Sequence, residues 1–417
     1  MTRPDPVESA LTAARPKAIA ALLRHFRDLD LAEEAFQEAC LRALKTWPEK
    51  GAPRDPTAWL IFVGRNVAVD ALRRSRRLAS LPDEDQLSDL DDAEAAVVRQ
   101  IDEADYRDDI LRLLFVCCHP DLPAEHQVAL ALRVVSGLSV RQIARAFLVG
   151  ESAMEQRITR AKGRIARSGV AFEAPSAIER TERLAAVAAM LYLLYNEGYT
   201  TAAEPEGRVL AEEAIRLIRL LIRLFPSEPE IMGLAAVMML GHARAAARAD
   251  ADGRPIPLDA QDRSRWNRSL IAEGLALLDK ALRHRRPGPY QIQAAIAALH
   301  ARAPSVEATD WAEIELLYGA LERFEPSPVV RLNRAVAVAR CRGPAAALEL
   351  IAPLESELGG YFYFHGTRGT FLMELGRSAE AQTAFGRAIA LARNANEAAH
   401  IRSKLDQLMA EAAHPEK

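Results

Sequence analysis

The sequence predicts an all-α protein, and three observations predict it. Segments rich in Ala, Leu and Arg carry apolar residues at helical spacing along nearly the whole chain. No run alternates apolar and polar residues as a half-buried strand would. The punctuation, at Pro48–Pro56, Leu81–Asp92, near Pro175 and at Asp250–Pro257, leaves long helical stretches between breaks. Those breaks divide the chain into a helical unit to about residue 78, a linker, a second unit to about 172 and a long C-terminal part.

Composition narrows the function classes. Of 417 residues, 50% are apolar and 27% charged, a globular balance that supports roughly two to four domains. With 54 basic and 57 acidic residues, net charge −3, a uniformly basic nucleic-acid coat is excluded. Met1–Asp5 lacks a signal-peptide pattern, and no apolar run reaches the ~18–20 residues of a membrane span. A soluble, cytoplasmic chain with no membrane partner is the expectation. Four cysteines, two of them adjacent, make no disulfide framework. Cys117, Cys118, His119 and His126 invite a metal reading, but adjacent cysteines fit metal-ligand spacing poorly, so neither metal nor cofactor is expected.

Charge is unevenly placed. Arg54–Arg77 carries six Arg and two Asp, Ser80–Asp109 twelve acidic residues and two Arg, and Arg141–Arg167 seven basic and two acidic residues. A basic–acidic–basic order suits two nucleic-acid-facing modules joined by an acidic linker, or equally three solvated faces.

In the first unit, Phe36, Cys40, Ala43, Leu44 and Trp47 form an apolar stripe, with Glu34, Gln37 and Glu38 on the opposite side. A further helix starts near Thr57, read as its N-cap. Its core side is Leu60, Val63, Val67 and Ala71. Its polar side is Asn66, Asp70, Arg73 and Arg77, flanked by Arg65, Arg74 and Arg76. Arginines that grip phosphates beside tryptophans that stack bases suit single-stranded DNA, although an ordinary solvated helix has the same look.

In the second unit, Ser139-Val-Arg-Gln142 and Ser152-Ala-Met-Glu155 read as two capping boxes. Each opens an amphipathic helix: Ile143, Ala144 and Phe147 face inward on the first, and Met154, Ile158, Ala161 and Ile165 on the second. That is a helix-turn-helix, whose second helix enters the major groove. Gln156 and Arg157 lie near its start, where base edges are reached, and the later basic residues suit phosphates. A purely structural helical hairpin is the alternative.

The order of these parts resembles the extracytoplasmic-function (ECF, group IV) sigma factors, bacterial subunits that direct RNA polymerase to promoters. Asp30-Leu-Ala-Glu-Glu-Ala-Phe-Gln-Glu-Ala39 resembles the region 2 helix that docks on core polymerase. Pro56-Thr-Ala-Trp-Leu60 and Gly64-Arg-Asn-Val-Ala-Val-Asp-Ala-Leu-Arg-Arg74 resemble the helix that melts and reads the −10 element. Leu138–Arg145 and Gln156–Lys162 resemble the region 4 helix-turn-helix that reads the −35 element. Leu148 stands where a turn glycine is usual, and Glu155 where a basic residue is common. Phe115-Val-Cys-Cys-His-Pro120 and Ala146-Phe-Leu-Val149 resemble the subgroup with a large helical extension, as do Leu191–Gly198 and Gln261–Trp266. The resemblance implies region 2 at 7–78, an acidic linker at 79–105, region 4 at 106–170 and a helical domain at 176–417. It further implies polymerase contact by Glu33, Glu34, Gln37 and Glu38, and −10 contact by Trp59, Arg65, Asn66, Asp70, Arg73, Arg74 and Arg77. Contact with the −35 element falls to Arg141, Ser152, Gln156, Arg157, Arg160, Lys162 and Arg164.

The C-terminal part contains a repeat. In a register of 34, Ala335 matches Gly369, Val338 matches Leu372, Ala347 matches Ala381 and Ile351 matches Phe385, the packing pattern of a tetratricopeptide (TPR) array. Such stacks build concave surfaces that bind proteins. With 29 basic and 30 acidic residues in 176–417, this part suits a protein partner better than DNA. The sequence therefore predicts a non-enzymatic sigma factor with core RNA polymerase, promoter DNA and a C-terminal protein partner. The rival reading is a TPR-containing helix-turn-helix regulator that is not a polymerase subunit.

Overall fold

The computed structural model describes residues 6–76, 109, 113–119, 121–147, 149–168, 177–200, 205–250, 256–392 and 395–413. Every regular element among them is helical, and the chain divides into two units, Met1–Gly198 and Tyr199–Lys417. The division lies beyond the break expected near Pro175, because the helix that follows that proline packs with the first unit.

The first unit opens with three helices, α1 (Pro6–Phe26), α2 (Leu29–Lys50) and α3 (Pro56–Arg76), each packed on the other two. Ile19, Leu22 and Leu23 of α1, Phe36, Ala39 and Trp47 of α2 and Leu60, Ile61 and Val63 of α3 are all buried. Asp28 caps α2 by accepting the Leu31 N–H at 3.0 Å. The cap of α3 is Asp55, which accepts the N–H groups of Thr57 (2.9 Å) and Ala58 (3.0 Å). This corrects the assignment to Thr57: Pro56 has the φ of a first helical residue and no N–H to satisfy, so the cap lies two residues earlier. Leu44, expected in the α2 core, is 50% exposed.

A buried helical turn at 113–117 leads to α4 (Ala124–Ala131), which continues through a wider turn at Leu132–Ser136. Gly137, at φ 75°, ends it. Then come α5 (Val140–Ala146) and α6 (Glu151–Ser168), with α7 (Ala177–Thr200) after them. The Ser139 capping box forms in full: its hydroxyl accepts the Gln142 N–H at 3.2 Å, and Gln142 Oε1 accepts the Ser139 N–H at 2.8 Å. The second box does not form. Met154 N–H donates to the Gly150 carbonyl at 3.1 Å, so α6 starts at Glu151 and Ser152 lies inside its first turn. Glycine is tolerated at an N-cap, and Glu151 puts a carboxylate against the positive end of the helix. Met154, Ile158, Ala161 and Ile165 are all buried, while Phe147 is half-buried.

The second unit is a run of helices joined mostly by short turns: α8 (Pro205–Leu224), α9 (Pro229–His242), α10 (Arg268–Arg283), α11 (Pro289–Arg302), α12 (Trp311–Phe324), α13 (Pro328–Arg342), α14 (Pro344–Ile351), α15 (Phe362–Glu374), α16 (Ser378–Leu391) and α17 (Ala395–Ala413). Sequence neighbours pack on one another, and the interior passes from one local core to the next. Ala335, Val338, Ala347 and Ile351 lie in one core, and their 34-residue counterparts Leu372, Ala381 and Phe385 in the following one. Gly369, the counterpart of Ala335, lies against the Phe385 ring.

Candidate polymerase and nucleic-acid interface

The outer face of α2 is acidic and apolar together. Glu34, Gln37 and Glu38 are exposed, and the same stripe continues through Leu41 and Leu44, 53% and 50% exposed. The sequence reading missed Leu41 and placed Leu44 in the core, although 34, 37/38, 41 and 44 follow a helical repeat. The two leucines make this exposed side of the helix partly apolar. Glu33 differs from its expected role. It is 4% exposed, and its carboxylate pairs with Arg15 of α1 at 3.2 Å and Lys162 of α6 at 2.6 Å. A carboxylate held between two cations in the interior is not a surface contact.

On α3, Trp59 is half-buried and edge-on to Trp47, ring centroids 5.3 Å apart, so the pair stiffens the α2–α3 corner. Arg65 and Asn66 are exposed. Asp70, Arg73 and Arg74 lie further along the same helix, their side chains outside the described set, and Arg77 lies outside the described residues. Arg65 also lines a cavity of about 340 Å³ with Arg24, His25 and Arg27. Burial, then Arg65 and Arg24, hold the His25 pKa below its ordinary value, which marks the cavity as cationic.

Of the helix-turn-helix, Arg141, Ser152, Gln156 and Arg160 are exposed. Arg160 reaches back to Gln156 at 3.4 Å, so these two stand side by side on the outer face of α6. The other three expected contacts, of which Arg164 is exposed and Arg157 and Lys162 are half-buried, are engaged with the protein. Arg157 pairs with Glu125 of α4 at 3.1 Å, and Arg164 donates to the Asp121 carbonyl at 3.0 Å. Lys162 bonds Asp30 and Glu33, each at 2.6 Å. Burial works against its charge, but Glu33 and Asp30 outweigh burial and raise its pKa. Lys162, expected on DNA, is thus engaged with α2 in this structure. Cys117 and Cys118 are buried thiols whose pKa values burial pushes up, to about 12 for Cys118. His119 accepts the Asp121 N–H through Nδ1 at 3.3 Å. Among the described residues, no three His, Cys, Asp or Glu side chains gather as metal ligands.

Known proteins share this layout. Residues 11–78 match the model of Sigma-70 region 2, and residues 112–165 that of Sigma-70 region 4. Residues 183–282 match a family of unknown function, DUF6596. Two sigma-70 regions in this order, the second a helix-turn-helix, define a sigma factor. The chain belongs to the same family as the "Uncharacterized protein R00370" of Rhizobium meliloti (strain 1021), 64% identical over 415 residues that cover 99% of this chain and 98% of that protein. It is also similar to the "Probable ECF RNA polymerase sigma factor SigI" of Mycobacterium tuberculosis, in strains CDC 1551 / Oshkosh and H37Rv. That match is 28% identical over 171 residues, 41% of this chain and 58% of the relative. No helix among the described residues is long and apolar enough to cross a membrane.

Proposed function

We propose that the chain is an ECF (group IV) sigma factor that binds core RNA polymerase in the cytoplasm and directs promoter-specific initiation, under control of its C-terminal helical-repeat domain. One observation carries the reading: the chain presents an acidic-apolar face on α2 and a separate polar face on α6, in the order of the two sigma regions. Glu34, Gln37, Glu38, Leu41 and Leu44 supply the polymerase contact. Arg65, Asn66, Asp70, Arg73, Arg74 and Arg77, beside Trp59, hold the melted −10 strand, guanidiniums on phosphates and the amide on a base edge. Gln156 and Arg160 enter the −35 major groove, with Arg141 and Ser152 on the flanking phosphates. The acidic stretch 79–105 spans between the two regions and mimics the charge of nucleic acid in the polymerase channel. The chain itself needs no cofactor, because nucleotide addition belongs to the polymerase.

The near-neutral repeat domain suits contact with protein, either a separate partner or the sigma core. Run-off transcription with purified core polymerase and a random promoter library tests the reading. One enriched two-part promoter supports it, whereas DNA selection that is indifferent to core polymerase favours the helix-turn-helix regulator. A chain truncated after Thr200, which keeps the whole first unit with α7, should still bind core polymerase but change promoter output. Output equal to that of the full chain would remove the regulatory role.

A further inference from the structure

The segment Gln261–Trp266, just before α10, is tied to itself and to its surroundings. Asp262 accepts the Ser264 N–H at 2.9 Å and the Ser264 hydroxyl at 2.6 Å, and Gln261 donates through Nε2 to the Ile256 carbonyl at 2.9 Å. The Arg263 guanidinium sits over the buried Trp266 ring, 4.7 Å from its centroid. Through Nη1 it donates at 2.6 Å to the carbonyls of His300 and Ala303, at the end of α11, where a helix leaves carbonyls without partners of its own. Nη2 of Arg263 is buried and has no hydrogen-bond partner among the described residues. A guanidinium donor left unmet in the interior costs free energy, which a ligand can recover.

Arg263 lines a cavity of about 310 Å³ between this segment, α11, α12 and α13. At ~30 Å³ per water the space holds about ten waters, or an organic molecule of about ten heavy atoms. Part of the lining is aromatic and apolar: Trp311, Ile314 and Tyr318 of α12, and Val336 and Ala337 of α13. Trp311 is held in place, edge-on to His300 with centroids 5.2 Å apart and donating through Nε1 to the Val306 carbonyl at 3.2 Å. The charged lining is Arg263 and Arg340 against Asp259. Asp259 and Arg340 are both exposed and pair at 3.5 Å, which leaves Arg263 in excess. The neighbourhood of Arg263 is positive. Burial, then Arg244 and Arg263, hold the His300 ring neutral with a pKa of about 4, and Arg244 adds to burial in lowering that of Arg263 itself. Glu307, which is exposed, offsets Arg263 in part.

A cationic ligand would meet Arg263 unfavourably, and a phosphate dianion calls for more than one unmatched cation. One excess positive charge beside a fixed aromatic wall suits a single negative charge on an apolar body. We propose that this cavity binds a small monocarboxylate with an aromatic body, its carboxylate on the Arg263 side and its ring against Trp311 and Ile314. Arg340 attracts the carboxylate and Asp259 opposes it. The site lies wholly in the second unit and does not rest on the sigma reading.

The test is calorimetric titration of the full chain with benzoate, phenylacetate and 3-phenylpropionate. At least one should bind one-to-one with a Kd of about 1 mM or tighter. Phenylacetamide, benzylamine and inorganic phosphate, which change the charge or lack the ring, should bind about tenfold more weakly or not at all. Arg340→Gln should weaken the carboxylate about two- to fivefold, and Asp259→Asn should tighten it by a similar factor. Arg263→Gln should weaken it about tenfold or more. Because Arg263 also holds the end of α11, Val336→Phe is the second variant: Val336 is an exposed residue of the lining, and the larger ring should fill the space and block binding. Absence of binding by all three carboxylates would overturn the proposal, as would equal binding of the amide, the amine or phosphate. Shifts of the same sign in Arg340→Gln and Asp259→Asn, or wild-type affinity in a folded Val336→Phe chain, would do the same.

Discussion

A methyl group added at Gly369 should loosen the α15–α16 hairpin, and removal of the Phe385 ring should reverse the sign of that effect. The Cβ of Gly369→Ala would lie 2.6 Å from both Cδ1 and Cε1 of Phe385 and 3.1 Å from Cγ. Carbon contacts prefer about 3.5–4.0 Å, so the overlap approaches 1 Å. Phe385 is fully buried and cannot swing aside. Overpacking of this kind costs about 1–3 kcal/mol, against a helix-propensity gain of about 1 kcal/mol for Ala over Gly. The net loss should be up to about 2 kcal/mol, and about 1 kcal/mol at the middle of that range. Phe385→Ala alone should cost about 3–5 kcal/mol through its cavity. In that background the methyl has room, and Gly369→Ala should become neutral or stabilising by up to ~1 kcal/mol. The coupling is then about 2 kcal/mol. Hydrogen exchange of the peptides over residues 362–391 reads it for this hairpin specifically. Effects that add to within ~0.5 kcal/mol would show that the glycine is not there for the ring.

Two further outcomes follow from the site and the repeat domain. Gln156→Ala and Arg160→Ala should each relax base preference at one or two upstream positions, costing ~1–3 kcal/mol of discrimination; promoter selection on either variant that returns the wild-type motif at undiminished stringency would remove that residue as a reader. His300 should make the second unit sensitive to acid. Burial, then Arg244 and Arg263, depress its pKa from 6.5 to about 4, so the folded state holds the neutral ring. Its contribution is therefore complete above pH 6.5 and is lost as pH falls toward 4, on the order of 3 kcal/mol in all. Urea unfolding of His300→Gln at pH 7 and pH 4.5 should show a smaller difference than wild type, and an unchanged difference would refute the assignment.

What was legible in the sequence was what a single helix decides. Met154, Ile158, Ala161 and Ile165 repeat at 3–4 residues, and all four are buried. Ser139 and Gln142 lie three apart before an apolar run, and their reciprocal bonds form. Both misplaced caps are displaced by two residues, where neighbouring residues compete for the cap. Pro56 moved the α3 cap back to Asp55, and Gly150 did the same to α6, leaving Ser152 inside the helix. Leu44 was misplaced by one step, since it stands about 100° around the helix from the buried Ala43 and so on the outer face.

The destination of a charged side chain is a different matter, because it depends on what lies across the fold. Local pattern ranks Glu33 with Glu34, and Lys162 with Arg160, since each pair shares one helix. The tertiary structure separates them: Glu34 and Arg160 meet solvent, while Glu33 and Lys162 meet each other. Arg157 and Arg164 are likewise engaged at the surface, with Glu125 and the Asp121 carbonyl. The recognition helix in this conformation therefore offers Gln156 and Arg160 outward while three of its cations are engaged with the protein. A basic stripe in a sequence is thus an upper bound on the charge a helix can present to DNA. What it presents at a given moment is set by the acidic residues and carbonyls that the fold brings to it, here from α2, α4 and the turn before α4.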